Sequence, residues 1–173
     1  MQKGFSPCAA AALYARESFQ REGSFDETFL CYLEDVDLGF RLRLGGESCV
    51  NLCEAVVLHH GSAISGRNSG FTLYHSFRNR LWLIFKNMPA LLLLISLPAI
   101  IVCSLILLVK FDPASRGAAF KGLADGLRPP RELFKSRCRI QSQRRLTTPE
   151  VARMLSWNLG RLRSKAAPGS VGS

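Results

Sequence analysis

The chain has 173 residues, room for one domain, and carries 23 Lys and Arg against 13 Asp and Glu for a formal charge of +10. Its six cysteines show no disulfide-framework spacing, which argues against a small stapled secreted scaffold and suits a reducing compartment. The charge is uneven: residues 1–89 hold nine bases and nine acids, whereas residues 110–173 hold fourteen bases and four acids and so the whole excess of +10.

Ala9 to Tyr14 is small and apolar and predicts a buried strand or a strand entering a turn. Glu17 to Glu22 predicts a short helical turn stopped by Gly23. Gly23 to Leu33 predicts a loop rich in aromatics. This loop and the residues after it hold five carboxylates, Asp26, Glu27, Glu34, Asp35 and Asp37, interleaved with Phe25, Phe29 and Tyr32. A solvated acidic face would mix acids with lysines; acids among buried aromatics predict one wall of an active site. Glu34 to Leu44 has helical periodicity, with Val36, Phe40 and Leu44 on one face and Gly45-Gly46 as its stop. Asp37 and Arg41 stand four apart, the spacing of a structural ion pair.

Ser48 to Leu52 and Glu54 to His59 predict two short strands feeding a Gly- and Ser-rich turn. Cys49, Cys53, His59 and His60 are not in zinc-site spacing, and Cys49 and Cys53 would lie about 13 Å apart along a strand. Phe71 to Asn87 predicts a helix mixing aromatics with Arg78, Arg80 and Lys86, a composition suited to the headgroup level of a membrane. Ala90 to Val109 has no charge and is about the length of one membrane span. Pro98 near its middle suggests a broken or re-entrant segment, with a plain span as the competitor. Phe120, Leu123, Ala124 and Leu127 form one amphipathic stripe; Thr147-x-x-Glu150 opens a second basic helix through a capping box. The basic tail points to anionic lipid rather than to nucleic acid, since it has neither finger spacing nor stacking motifs.

The strings GFSPCAAAALYAR, GSFDETFLCYLEDVDLGFRLRLGG, EAVVLHHGSAISG and FRNRLWLIFKNMP together resemble the C-terminal half of a family 2, rhamnosyltransferase-like bacterial glycosyltransferase over roughly the first ninety residues. The resemblance implies an α/β fold: part of a GT-A, Rossmann-like catalytic domain over residues 1–70, an interfacial helix over 71–89, a membrane segment over 90–110, a basic amphipathic tail over 111–165 and a disordered end over 166–173. It implies inverting sugar transfer from a nucleotide-sugar donor to a cell-envelope glycan or lipid-linked acceptor, at the inner membrane with the catalytic side cytoplasmic. The nucleotide-binding strands and the Asp-x-Asp metal motif belong to the family's first half. Asp35-Val36-Asp37 occupies the later, acceptor-side position, so the chain is expected to be a C-terminal portion, inactive alone.

The resemblance further implies Asp35 as general base, with Glu34 beside it. Asp26, Glu27, Asp37, Arg67 and Arg78 are implied on the substrate. His59 is implied as a ligand to a divalent cation, Mn²⁺ or Mg²⁺, held mainly by the first half. Glu47, Asn51 and Cys53 depart from the family pattern around the strand pair. The competing class is a non-catalytic membrane-anchored protein that binds anionic lipid or a protein partner.

Overall fold

The computed structural model describes residues 2–52, 54–58, 69–109 and 111–155. The expected α/β, Rossmann-like architecture is not what these residues form. They build seven α-helices and a single pair of three-residue strands. Strand β1 (Gln2–Gly4) pairs antiparallel with β2 (Cys49–Asn51), with Lys3 opposite Val50. The physical reason lies in the segments read as strands. Ala9–Ala11 closes into a 3-10 turn, as a run of alanines without β-branching readily does. Residues 55–58 have no regular structure, and Val56 and Leu58 are exposed rather than packed in a sheet.

Helix α1 (Arg16–Glu22) ends at Gly23, whose φ of +83° places it in the left-handed region. Helix α2 (Glu34–Leu44) ends in a Schellman motif: the Glu47 and Gly46 amides donate to the Leu42 and Arg43 carbonyls, with Gly46 at φ +89°. Helix α3 (Gly70–Asn87) starts at Ser69, whose hydroxyl accepts from the Thr72 amide, and stops before Pro89. Helix α4 (Ala90–Leu108) runs unbroken through Pro98. Helix α5 (Pro113–Gly126) begins at the Asp112 cap, α6 (Arg131–Gln143) follows Pro129-Pro130, and α7 (Thr148–Met154) opens with Glu150 accepting from the Thr147 amide at 2.7 Å. The stretch from residue 156 onward, including the expected continuation of this last helix, lies outside the described residues.

Helix α3 organises the molecule. Helix α5 lies parallel to it, and Ala118, Gly122 and Gly126 recur every fourth residue along the seam. A Cβ added at Gly122 would sit 2.2 Å from the Tyr74 carbonyl oxygen, so only glycine permits this approach. Leu73, Phe77, Leu81, Ala119 and Leu123 pack beside the seam and take in Leu108 from the far end of α4. Helix α6 covers the other end of α3. Arg137 donates to the Phe85 and Met88 carbonyls and Gln141 to that of Asn87, satisfying acceptors that a helix C-terminus leaves open. A second cluster joins Phe40 and Leu44 of α2 to Met88, Leu92, Ile140 and Val151, so α2, α4, α6 and α7 meet at one end.

Candidate active site

The acidic stretch sits where the loop of residues 23–33 meets α2 and α3. Leu30, Tyr32 and Leu33 all have positive φ, at 60°, 70° and 70°. Such backbone costs about 1–3 kcal/mol per non-glycine residue and persists only where surroundings over-determine it. The restraint is Asn79. Buried on α3, its amide donates to the carbonyls of Phe29, Cys31 and Tyr32 at 2.9, 2.8 and 2.8 Å. Arg78 adds a bond to the Phe29 carbonyl while its guanidinium lies 4.2 Å from the centre of the Trp82 ring. The Tyr32 and Thr72 hydroxyls are 3.0 Å apart.

Below this loop lies a buried charge network. Asp37 is fully buried and accepts from Arg41 at 2.9 Å, Lys86 at 2.8 Å and Asn87 at 2.7 Å. Lys86, itself 1% exposed, also donates to Asp26 at 2.5 Å. Asp26 additionally accepts from the Thr28 amide and hydroxyl. Burial pushes the Asp26 carboxyl up, but Lys86 and Thr28 outweigh it and hold the group below the usual Asp range. Arg41 gives two further hydrogen bonds to the Glu22 and Ser24 carbonyls, tying the end of α1 to α2. Gly39 lets the N-terminal segment cross α2, where the Ser6 hydroxyl donates to the Asp35 carbonyl at 2.9 Å.

Glu34 and Asp35 stand outside this network at the first turn of α2. The Asp35 carboxylate accepts from the Ala9 amide at 3.1 Å and the Val36 amide at 2.8 Å. One Glu34 carboxylate oxygen is buried with no hydrogen-bond partner among the described residues, and so is the Tyr14 hydroxyl. Burial, then the charges of Asp35, Cys49, Cys8 and Glu34, push the Tyr14 phenol up, which places it in the field of both acids. Tyr14 packs edge-on with Phe25 and beside Phe19. It also lines an open cleft of about 790 Å³ formed by residues 7–15 and 47–52 with Leu42 and Arg43 of α2; Glu34 and Asp35 are not among its lining residues.

The structure thus divides the residues named from the sequence. Glu34 and Asp35 are together and half-buried. Asp26 and Asp37 are drawn away into the Lys86 network. Glu27 is exposed in a 3-10 turn, and Arg78 is bonded to the protein's own backbone and a tryptophan. His59 and Arg67 lie outside the described residues. Among the described residues no three His, Cys, Asp or Glu side chains converge as a metal site. Tyr14 and Asn79 were not read as site residues in the sequence, and Lys86, read there as a headgroup-level base, is instead buried on Asp26 and Asp37. Tyr14 lay in a stretch expected to be a strand, and the other two act on residues at least 47 positions away in the chain.

No family model and no solved structure matches the chain. Over 56 residues it is 45% identical to the N-acetylglucosaminyl-diphospho-decaprenol L-rhamnosyltransferase of Mycobacterium tuberculosis, in both the CDC 1551 / Oshkosh and the ATCC 25618 / H37Rv strains. The matched stretch is 32% of this chain and spans 18% of the relative's length. It supports a glycosyltransferase-like relationship.

Proposed function

We propose that this chain supplies the acceptor-side acids of a glycosyl transfer site, with Asp35 as general base and Glu34 and Tyr14 as positioning groups. The observation that carries the proposal is the pair of buried polar atoms without partners among the described residues, one on Glu34 next to Asp35 in the chain and one on Tyr14 in the field of both acids, with Tyr14 the one of the three that lines the open cleft. A buried polar group left unpaired is costly, and an acceptor hydroxyl would satisfy both. In the proposed step that hydroxyl gives its proton to an Asp35 oxygen as its own oxygen attacks the anomeric carbon. The bond to the nucleotide diphosphate breaks on the opposite face, with inversion. The two amides on Asp35 hold the carboxylate in place while leaving each oxygen a further lone pair.

The donor is proposed as a nucleotide-sugar and the acceptor as a lipid-linked or envelope glycan. The mycobacterial relative's name, which specifies L-rhamnosyl transfer and an N-acetylglucosaminyl-diphospho-decaprenol, supports that choice. The described residues do not form a divalent-metal site.

The test pairs binding with turnover. Membranes carrying the chain joined to a family nucleotide-binding half, which the chain is expected to need for activity, are assayed for sugar transfer to a polyprenyl-diphosphate-linked N-acetylglucosamine. Binding of that acceptor to the protein in nanodiscs is measured separately. Glu34→Gln and Tyr14→Phe are expected to weaken acceptor binding, and Asp35→Asn to abolish transfer with binding nearly intact. Acceptor binding untouched by all three variants would reject the site.

A further inference from the structure

Helix α4 is built inside out. A helix in water turns its polar residues outward and its apolar stripe inward. Here the buried stripe runs Leu92, Ser96, Ser104 and Leu108 at four-residue multiples, so the helix's two serines face the protein. The Ser104 hydroxyl donates to the Ile100 carbonyl, and that of Ser96 has no partner among the described residues. The opposite face presents Leu91, Leu94, Ile95, Val102, Ile106 and Val109, each 54–74% exposed. A continuous apolar face of this size marks an interaction surface.

The rest of the fold limits what the partner can be. The helix is long and apolar enough to cross a membrane, about 28 Å for its 19 residues. Yet the polypeptide before and after it forms one body. Helix α4 doubles back along α3, so that Leu107, Leu108 and Phe111 reach Leu73 and Phe77. Helix α5 then lies against α3 from Gly70 to Leu81, and α6 and α7 close on its far end with α2. A crossing helix would leave α3 and α5 on opposite sides or drag both to bilayer depth. They cannot part without breaking the Gly122 seam. They cannot enter without burying Arg80, Lys121 and Asp125 in hydrocarbon.

We infer that α4 lies in the plane of one leaflet of an anionic bilayer, with its Leu91–Val109 face among the acyl chains and α3 and α5 beneath it at headgroup level. The polar half of the amphipath is thus supplied by the neighbouring helices rather than by α4 itself. Charge complementarity selects anionic lipid: residues 111–155 hold ten bases against four acids. Arg116, exposed at the C-terminal corner of α4, donates to the Val109 and Phe111 carbonyls. Arg80 lies against α4 near Cys103 with no ion pair among the described residues. The inference rests on the packing of α4 and not on the glycosyltransferase reading, so either can fail without the other.

Depth measurement tests it. The full chain, with single cysteines at Leu91, Ile95, Val102 and Ile106, carries an environment-sensitive fluorophore. It is bound to phosphatidylcholine vesicles with and without phosphatidylglycerol. Lipids brominated at successive acyl carbons then quench the probe. All four positions are expected at one shallow depth, with binding at least ~10-fold weaker without the anionic lipid or in Ile95→Glu/Ile106→Glu. A gradient reaching the bilayer centre at Ile95 and Val102 would establish a span and overturn the inference. So would a chain that ignores vesicles and covers this face by self-association. The unmodified protein gives a check free of folding artefacts: toward an impermeant thiol reagent in intact cells, native Cys8 and Cys138, both exposed and on either side of α4 in the chain, should share one fate. Labelling of one alone would overturn the inference.

Discussion

Asp35 and Asp37 stand two residues apart on α2, yet the fold treats them as different substances. Asp37 points into the body of the protein and meets a lysine, an arginine and an asparagine, with no surface left to solvent. Asp35 stands at the open end of the helix, held by two backbone amides, beside a glutamate and a tyrosine that each have an unpaired buried atom. The first arrangement spends every charge on holding α1, α2 and α3 together. The second leaves capacity for a ligand. In a dense acidic motif, partner count and burial separate the carboxylate that builds the site from the one that can work in it.

The largest effect is expected from removing the buried partner. Asp37→Ala leaves Lys86 and Arg41 buried and short of a counter-charge, and should cost about 3–5 kcal/mol. Chemical denaturation should show this as a large fall in midpoint, or as failure to fold. Asp35→Ala should move the same midpoint by only about 0.5 kcal/mol, in the range of ordinary surface changes. Equal losses at the two positions would erase the distinction between them.

Next comes Asn79. Replacing it with Ala takes the amide from the Cys31 and Tyr32 carbonyls, leaves that of Phe29 to Arg78 and releases the strained backbone of residues 30–33, a loss of about 2–3 kcal/mol. The loop should also relax, which hydrogen exchange at the amides of Tyr32 to Asp35 would report as lost protection. Retained protection would mean that Arg78 and the aromatics suffice to hold the turn.

How much of this could be read beforehand follows from the range of each signal. Local periodicity and punctuation located α2 at Glu34–Leu44 and ended α1 at Gly23, because caps and i, i+4 stripes are properties of a short stretch. The Asp37–Arg41 pair was visible for the same reason. Lys86 and Asn79 were not, because nothing local to a helix says which distant loop it will touch. Helix α6 was missed because it buries only Leu133 and Ile140 and otherwise looks like a solvated basic run. The sheet expected from the family resemblance failed at Ala9–Ala11 and at residues 55–58, which pair with no strand. On α4, Pro98 suggested a break, but it sits within a continuous helix.

Acidification probes the network more gently than mutation. The Asp26 carboxyl is held below its unfolded value, so its contribution to stability is fully present above about pH 4 and is lost as pH falls through the folded value. Thermal melts between pH 7 and pH 3 should therefore fall more steeply for the parent than for Asp26→Asn, which has no such carboxylate to protonate. Parallel curves would show that Lys86 is balanced by Asp37 alone.

The smallest structural effect, and the sharpest functional one, belongs to Asp35→Asn. The amide keeps the side chain's size, and its remaining carbonyl can still accept from Ala9 or Val36, so melting should shift little. An amide cannot accept the acceptor's proton, so in a full-length homologue or with the nucleotide-binding half restored, transfer should fall by roughly 10²-fold or more while donor KM is nearly unchanged. Glu34→Gln should instead raise the acceptor KM, because it alters a group that positions rather than one that takes the proton. If Glu34→Gln causes the collapse in turnover and Asp35→Asn is tolerated, the base is Glu34. The amides on Asp35 are then only the anchor of the first turn of α2 to the segment around Ala9.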